Sequence, residues 1–212
     1  DKDEYKALRK EAKQKNIMIF AGTELSVNDG ANGIHCLIVF DEKTWVFNKN
    51  NEDYINQFLT SAFEGISNRE NENTRCNYNL AALLDKLNEH RQNGRDSFLI
   101  LAHVEQKSGF FHELDGGRIQ QLASSGLFKN SVLGLQKIRS YDKVETYRHW
   151  FSGDLPAFVE GSDCKSISEV GSASTQKGEQ KKTFIKIGNF NFEALKYALI
   201  DKKHRVCDKK PS

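Results

Sequence analysis

The sequence predicts an α/β protein built around a mostly parallel sheet or barrel. Short apolar runs alternate with segments whose apolar residues recur at helical spacing, a pattern typical of repeated strand–helix units. The apolar runs are continuous, as in strands that are covered on both faces. A length of 212 residues suits one domain, and an apolar share of 38% is enough for one core.

The first third of the chain predicts a helix, two strands and a second helix. Residues 1–15 carry a thin apolar stripe at helical spacing among charged side chains. The continuous apolar run IMIFA at 17–21 predicts a buried strand, after which Gly22 is expected to turn the chain. The run IHCLIVF at 34–40 predicts the second strand, and residues 50–63 return to helical spacing.

The middle of the chain predicts two further strand–helix pairs. Leucines at helical spacing in 80–87 predict a helix that stops near Asn93-Gly94. The run FLILA at 98–102 predicts the third strand. Residues 118–124 predict a short helix, and SVLGLQKI at 131–138 predicts another strand.

The last third continues the alternation around one long polar segment. Residues 141–150 predict a helix and 155–160 a strand. Residues 166–182 are rich in Ser, Lys, Gly and Gln, so we expect a long exposed loop. The run TFIKIG at 183–188 predicts the last strand, and 190–200 a closing helix.

Four potential metal ligands lie at or beside the ends of these strands. Glu24, His103 and Asp163 each follow an apolar run, and His35 opens one. Strand ends in parallel α/β folds bring side chains from distant parts of the chain to one pocket. Carboxylate and imidazole groups suit divalent ions that activate water. The pattern therefore predicts metal-assisted hydrolysis of a phosphate ester.

Each candidate also has an interpretation without a ligand. Glu24 can cap a turn or pair with a lysine, His35 can be a structural histidine, and Asp163 can form a turn. His103 is the sharpest candidate, because an imidazole at the open end of a parallel strand is a common ligand position. The remaining histidines are expected to be rim or surface residues: His90, His112, His149 and His204.

Composition and missing motifs exclude several classes. The chain has 31 basic and 29 acidic residues, a balance that argues against a strongly electrostatic nucleic-acid binder. The sequence contains no nucleophile elbow, Walker loop or HExxH zinc motif. Four scattered cysteines lack zinc-knuckle spacing. No secretory h-region opens the given sequence and no apolar stretch in it approaches membrane-spanning length, so we expect a cytoplasmic protein without membrane association.

Ordered motifs resemble those of the polymerase and histidinol phosphatase (PHP) superfamily. AGTELS at 21–26 followed by IHCLIVFD at 34–41 is similar to the family's G-x-E-x-S motif and the His that precedes an apolar strand. LAHV at 101–104 and EGSD at 160–163 resemble its later A-H and G-S-D motifs. TFIKIGNFNFEALKYAL at 183–199 is similar to a tail in PHP domains fused to AAA-like, SMC-type ATPases.

The resemblance implies a distorted (β/α)7 barrel that lacks its first strands here, with residues 1–212 as one PHP-like domain. It implies that Glu24 bridges divalent ions (Mn, Zn or Fe), that His35, His103 and Asp163 are further ligands, and that Glu24, His103 and Asp163 serve catalysis. Phosphate esters in nucleic acid or nucleotides are the implied substrates, and an ATPase domain is the implied C-terminal partner in the full protein.

Two departures from the family pattern shape these expectations. The opening H-x-H motif and a later Asp-His motif belong upstream of this segment, so we expect a fragment of a longer protein or a version that lost them. The His after S-D-x is Lys165 here, which can contact a phosphate but offers no lone pair to a metal at neutral pH. We therefore expect incomplete metal occupancy, and hydrolysis only if upstream ligands exist. Two alternatives are a non-catalytic module that binds nucleic acid or the ATPase, and a small-molecule phosphatase.

Overall fold

The fold is mixed α/β, as the sequence predicts. A computed structural model describes residues 2–161 and 182–207. The helices are α1 (Lys2–Gln14), α2 (Glu42–Trp45), α3 (Tyr54–Ala62), α4 (Leu80–Gln92), α5 (Phe110–Glu113), α6 (Gly116–Ser124), α7 (Gly126–Ser131), α8 (Val144–Trp150), α9 (Phe192–Ile200) and α10 (Lys202–Arg205), with a 3-10 turn at Tyr141–Lys143. The strands are β1 (Ala21–Val27), β2 (Ile34–Phe40), β3 (Ser97–Leu101), β4 (Val132–Gln136), β5 (Ala157–Val159), β6 (Phe184–Ile185) and β7 (Val206–Cys207).

The main sheet has five strands in the order β1-β2-β3-β4-β5. Strand β2 runs antiparallel to both of its neighbours, and β3, β4 and β5 run parallel to one another. Strands β1, β3, β4 and β5 therefore share one direction. Within the described ranges the sheet is open, since β1 and β5 are not paired with each other.

The first strand lies later in the chain than the sequence analysis placed it. The expected strand at 17–21 is wrong, because β1 spans Ala21–Val27 and residues 17–20 precede it without regular structure. Strand β1 is not covered on both faces. Gly22 and Glu24 on one face are exposed, whereas Ala21 and Leu25 on the other face are buried. A search for continuous apolar runs misses such a half-covered strand.

Gly22 lies inside β1 and does not turn the chain. A Cβ atom at this position would stand 2.7 Å from the carbonyl oxygen of Ile38 on β2, so the close approach of the two strands requires glycine. Glu24 likewise lies within the strand, opposite Leu37, and not in a loop after it.

Strands β1 and β2 form a hairpin, which corrects the expected parallel arrangement. Only residues 28–33 connect them, and a parallel connection needs a dozen or more residues. Gly30 and Gly33 take positive φ angles of 65° and 81° in this connection. Because the chain reverses here, the start of β2 lies beside the end of β1.

The expected helices are confirmed, with short differences at their ends. Side-chain caps explain two starts: Asp53 accepts from the backbone N–H of Asn56, and Asn79 accepts from that of Ala82. Helix α4 ends at Gln92, and Gly94 follows with a φ of 77°. The short helices α2, α5, α7 and α10 were not expected from the sequence.

The C-terminal elements differ from the expected last strand. Strand β6 keeps only two residues of TFIKIG and pairs with β7 in a separate two-stranded sheet. Residues 166–181 of the expected exposed loop lie outside the described residues. In the part of the chain that the structure describes, no helix combines the length and apolarity needed to cross a membrane.

The two faces of the sheet are covered by different layers. One face packs against α2 to α8 in a large apolar cluster that includes Trp45, Leu87 and Phe128. The other face packs against α9 and the small sheet, in a cluster that includes Phe98 and Phe192. Helix α9 and the small sheet lie over the β3–β5 side of this second face, so Glu24 on β1 stays exposed there.

Candidate metal centre

Three of the predicted ligands converge at one end of the sheet. His35 Nδ1 lies 3.1 Å from Glu24 Oε1 and 3.2 Å from His103 Nε2. One ligand atom from each residue lies within 4.8 Å of the other two. With metal–ligand bonds of about 2.0–2.2 Å, neighbouring ligand atoms around one ion stand about 3.0–3.5 Å apart. The distances of 3.1 and 3.2 Å from His35 Nδ1 therefore match the spacing between neighbouring ligand atoms around one ion.

The hairpin brings Glu24 and His35 to the same face. His35 is directly opposite Ser26, and Glu24 is two residues before Ser26 on β1, so all three side chains point the same way. The N–H of His35 donates to Ser108 O and its carbonyl accepts from Ala102 N–H. Since these groups point away from β1, His35 and Ser26 form a non-hydrogen-bonded pair, the arrangement with the closest side chains.

His103 reaches the site from the turn after β3. Its backbone has a φ of 29°, which a residue with a Cβ adopts at a cost of about 1–3 kcal/mol. The N–H of His103 donates to Gln136 Oε1 at 3.0 Å, and its carbonyl accepts from Gln106 N–H. A Cβ on Gly109 would collide with that carbonyl, so the loop packs tightly against the His103 backbone.

Burial differs across the three ligands. The side chain of Glu24 is 47% exposed, and that of His35 only 11%. His35 Nε2 is buried and has no hydrogen-bond partner among the described residues, as is also true of Ser26 Oγ on the opposing strand. A buried polar atom of this kind is costly and calls for a partner such as a bound water; an ion held through His35 Nδ1 does not supply it, because the two ring nitrogens point in different directions. The base of the site is therefore polar, buried and incompletely satisfied by protein groups.

A buried carboxylate, Glu113, holds the two loops beside the site. Its side chain is 2% exposed and accepts from the backbone N–H groups of Asn32 and Ser108 and from the Asn32 amide. Burial opposes ionisation, but these hydrogen bonds outweigh it and lower the pKa of Glu113 to about 2. Because Ser108 also accepts from the N–H of His35, Glu113 supports the backbone of a candidate ligand.

We expect Glu113→Gln to lower the free energy of unfolding by about 1.5–3 kcal/mol at neutral pH, because one amide cannot replace a charged acceptor of several N–H groups. A depressed pKa contributes stability above the ordinary value of 4.5 that is lost as the pH falls towards about 2. The difference in unfolding free energy between wild type and variant should therefore become smaller as the pH falls from 4.5 towards about 2. Urea unfolding at a series of pH values measures it.

The exposed residue Glu64 supplies the control, since its carboxylate lies on the surface. Glu64→Gln should leave the unfolding midpoint unchanged at every pH. A gap between wild type and Glu113→Gln that stays constant from neutral pH down to about pH 2 would contradict the assigned role.

A second carboxylate ties the loop after β3 to the exit of β4. Glu105 accepts from the backbone N–H groups of Arg139 and Ser140 and from the Tyr147 hydroxyl at 2.8 Å. Burial opposes ionisation here too, and the hydrogen bonds prevail, so the pKa of Glu105 is lowered. Arg139 in turn makes a two-pronged ion pair with Glu160 after β5, at 2.6 and 2.7 Å. The loops at this end of the sheet are thus fixed to one another.

The remaining candidates are not placed by the structure. Asp163, the fourth predicted ligand, and Lys165, the predicted phosphate contact, lie outside the described residues. Sequence reasoning missed Ser26, Glu113 and Gln136. Glu113 closes the aromatic run FFHE, and a carboxylate in such a run is a signal that could have found it.

The fold and the site define an α/β protein with a candidate centre of one carboxylate and two imidazoles at the end of a mixed sheet. Comparison with protein-family models, with curated proteins and with solved structures finds no match in any of the three.

Proposed function

We propose that Glu24, His35 and His103 form a divalent metal centre, and that the chain is part of a PHP-type, metal-dependent phosphoesterase. The observation that carries the proposal is the position of His35 Nδ1, which lies within 3.2 Å of both a carboxylate oxygen and a second imidazole nitrogen. Each of these three atoms has a lone pair to offer, and a shared cation satisfies all of them at once.

The donor set selects the kind of ion. Two imidazoles with one carboxylate suit zinc, manganese or iron, and leave coordination positions open for water or substrate. When bound, such an ion lowers the pKa of a water molecule and polarises a phosphoryl oxygen. The residues fit this group, since the buried imidazole of His35 forms the base of the site and the carboxylate of Glu24 is half exposed.

The three side chains have different tasks in this proposal. His35 is held by two backbone hydrogen bonds on the side away from β1, to Ser108 and Ala102, and fixes the position of the centre. Glu24 is the most exposed of the three, so a phosphate ester would approach from its side. His103 supplies the third ligand atom, Nε2, from the turn after β3. Asp163 as a fourth ligand and Lys165 as a phosphate contact belong to the proposal through the PHP-like motifs.

The motif resemblance also supports a nucleic-acid or nucleotide substrate, and an ATPase partner domain in the full protein. The distorted (β/α)7 barrel is part of the same proposal. Strands β1 and β5 are the outer strands of the described sheet and share one direction. Further barrel strands would pair at these two outer edges.

A non-catalytic module is the second candidate, and one observation favours it. Within residues 2–161 and 182–207, the group that could hold a metal contains three ligands. Three ligands hold one ion, whereas a site that clamps both oxygens of an in-line displacement uses two ions about 3.5–4 Å apart. A chain that keeps one ion would retain a metal-dependent shape for binding a partner.

The test is metal titration of the chelator-stripped chain, followed by hydrolysis assays with bis(p-nitrophenyl) phosphate and p-nitrophenyl phosphate. We expect saturable binding of Mn²⁺ or Zn²⁺ that EDTA reverses, and metal-dependent release of nitrophenol from the diester. Binding without hydrolysis of either ester supports the non-catalytic module. Absence of saturable binding overturns both candidates.

A further inference from the structure

The turn after β3 holds His103 in an unusual conformation, and one residue supplies much of its support. His103 has a φ of 29°, and its ring centroid lies 5.0 Å from that of His35. A side chain on so unfavourable a backbone keeps its direction only if neighbouring groups hold the peptide in place.

Gln136, the last residue of β4, accepts hydrogen bonds from two consecutive backbone N–H groups of this turn. Its side-chain Oε1 accepts from His103 N–H at 3.0 Å, and its backbone carbonyl accepts from Val104 N–H at 3.1 Å. The peptide groups on both sides of the His103 Cα are thus anchored to the end of one strand. Both of these contacts go to backbone N–H groups and not to the ring of His103.

The Gln136 amide occupies space that is open because residue 161 is a glycine without a Cβ atom. Gln136 pairs with Val159 on β5, and Gly161 follows two residues later, so it lies on the same face just beyond the strand. A Cβ at Gly161 would collide with Gln136 Nε2. Any larger residue at 161 would therefore force the end of the Gln136 side chain to shift, and with it the acceptor oxygen that contacts His103.

We propose that Gln136 is a positioning residue that directs His103 Nε2 at the metal, with Gly161 providing the room it needs. This inference rests on the proposed metal centre and deepens it. The Gln136 amide acts through the backbone of His103, so its removal changes the geometry of the centre without removing a ligand.

The test compares Co²⁺ and Zn²⁺ binding by the metal-free chain across three single variants of Gln136 and Gly161 and one double variant. Gln136→Met keeps the side-chain length but removes the acceptor oxygen, and should weaken binding about 10–100-fold, as changes behind a metal-bound histidine do. It should also shift the visible absorption bands of bound Co²⁺. Gln136→Glu keeps an acceptor oxygen and should restore affinity and bands. Gln120→Met, an exposed glutamine of α6, is the matched control.

Gly161→Ala changes no residue of β4 and tests the same contact from the other side. It should weaken binding as Gln136→Met does, and the double variant should be no weaker than Gln136→Met alone. Additive losses, or equal losses for Gln136→Met and Gln136→Glu, overturn the positioning role. So does wild-type affinity in Gln136→Met. A wild-type chain that binds no metal overturns the proposed centre instead, which separates the two failures.

Discussion

Replacing His35 with alanine is expected to raise the dissociation constant for Mn²⁺ or Zn²⁺ by more than about 100-fold, since changes behind a ligand already cost 10–100-fold. His35 is the central ligand, because its Nδ1 contacts both Glu24 Oε1 and His103 Nε2. Without it, the two remaining ligands lack the group that links them. Calorimetric titration of the metal-free chain measures the change.

His103→Ala and His149→Ala make the comparison specific. His103→Ala should weaken binding to a similar extent, whereas His149 is exposed on α8 and its loss should have no effect. Circular dichroism of each metal-free variant separates loss of a ligand from loss of the fold. Affinities within a few-fold of wild type in both His35→Ala and His103→Ala would place any bound ion elsewhere.

The largest expected effect on stability comes from Trp45→Ala, at about 3–5 kcal/mol. The side chain is fully buried, and its ring centroid lies 4.5 Å from that of Phe40 and 4.6 Å from that of His90. Its indole N–H also donates to Asp96 O at 2.8 Å, directly before β3. Truncation would leave a cavity and remove one of two hydrogen bonds to that carbonyl, which also accepts from Asp41 N–H.

Urea unfolding followed by far-ultraviolet circular dichroism tests this expectation. Trp45→Phe keeps an aromatic ring in the core and loses the indole N–H and part of the ring volume, so its loss of stability should be clearly smaller. Phe47→Ala is the surface control, because that ring is 43% exposed. Equal destabilisation by Trp45→Ala and Phe47→Ala would contradict the central role of Trp45 in the core.

One misplaced boundary explains the main error in the sequence-based topology. With a strand ending at residue 21, the distance to Ile34 allows a crossover and therefore a parallel pair. With β1 ending at Val27, six residues remain and only a hairpin fits. Apolar and polar residues alternate through AGTELSV, as is typical of a strand with one covered face. Gly22 and Glu24 make this segment less apolar than IMIFA, so a search for apolar runs selects IMIFA instead.

The candidate site was predictable in part, for physical reasons. His103 follows a continuous apolar run, so its place at the end of β3 could be read from local pattern. The supporting residues Gln136 and Glu113 could not, because their roles arise from contacts between segments that are distant in sequence. Gln136 meets His103 across 33 positions and Glu113 meets Asn32 across 81.

The hairpin also affects the loss of chain entropy when the ligands of the centre come together during folding. Glu24 and His35 are 11 residues apart, so closing the chain between them costs little entropy, whereas His103 is 68 residues from His35. The third ligand arrives only when β3 docks on β2. Metal affinity would therefore report on that long-range step, and substitutions that loosen the β2–β3 pairing would reduce it from a distance.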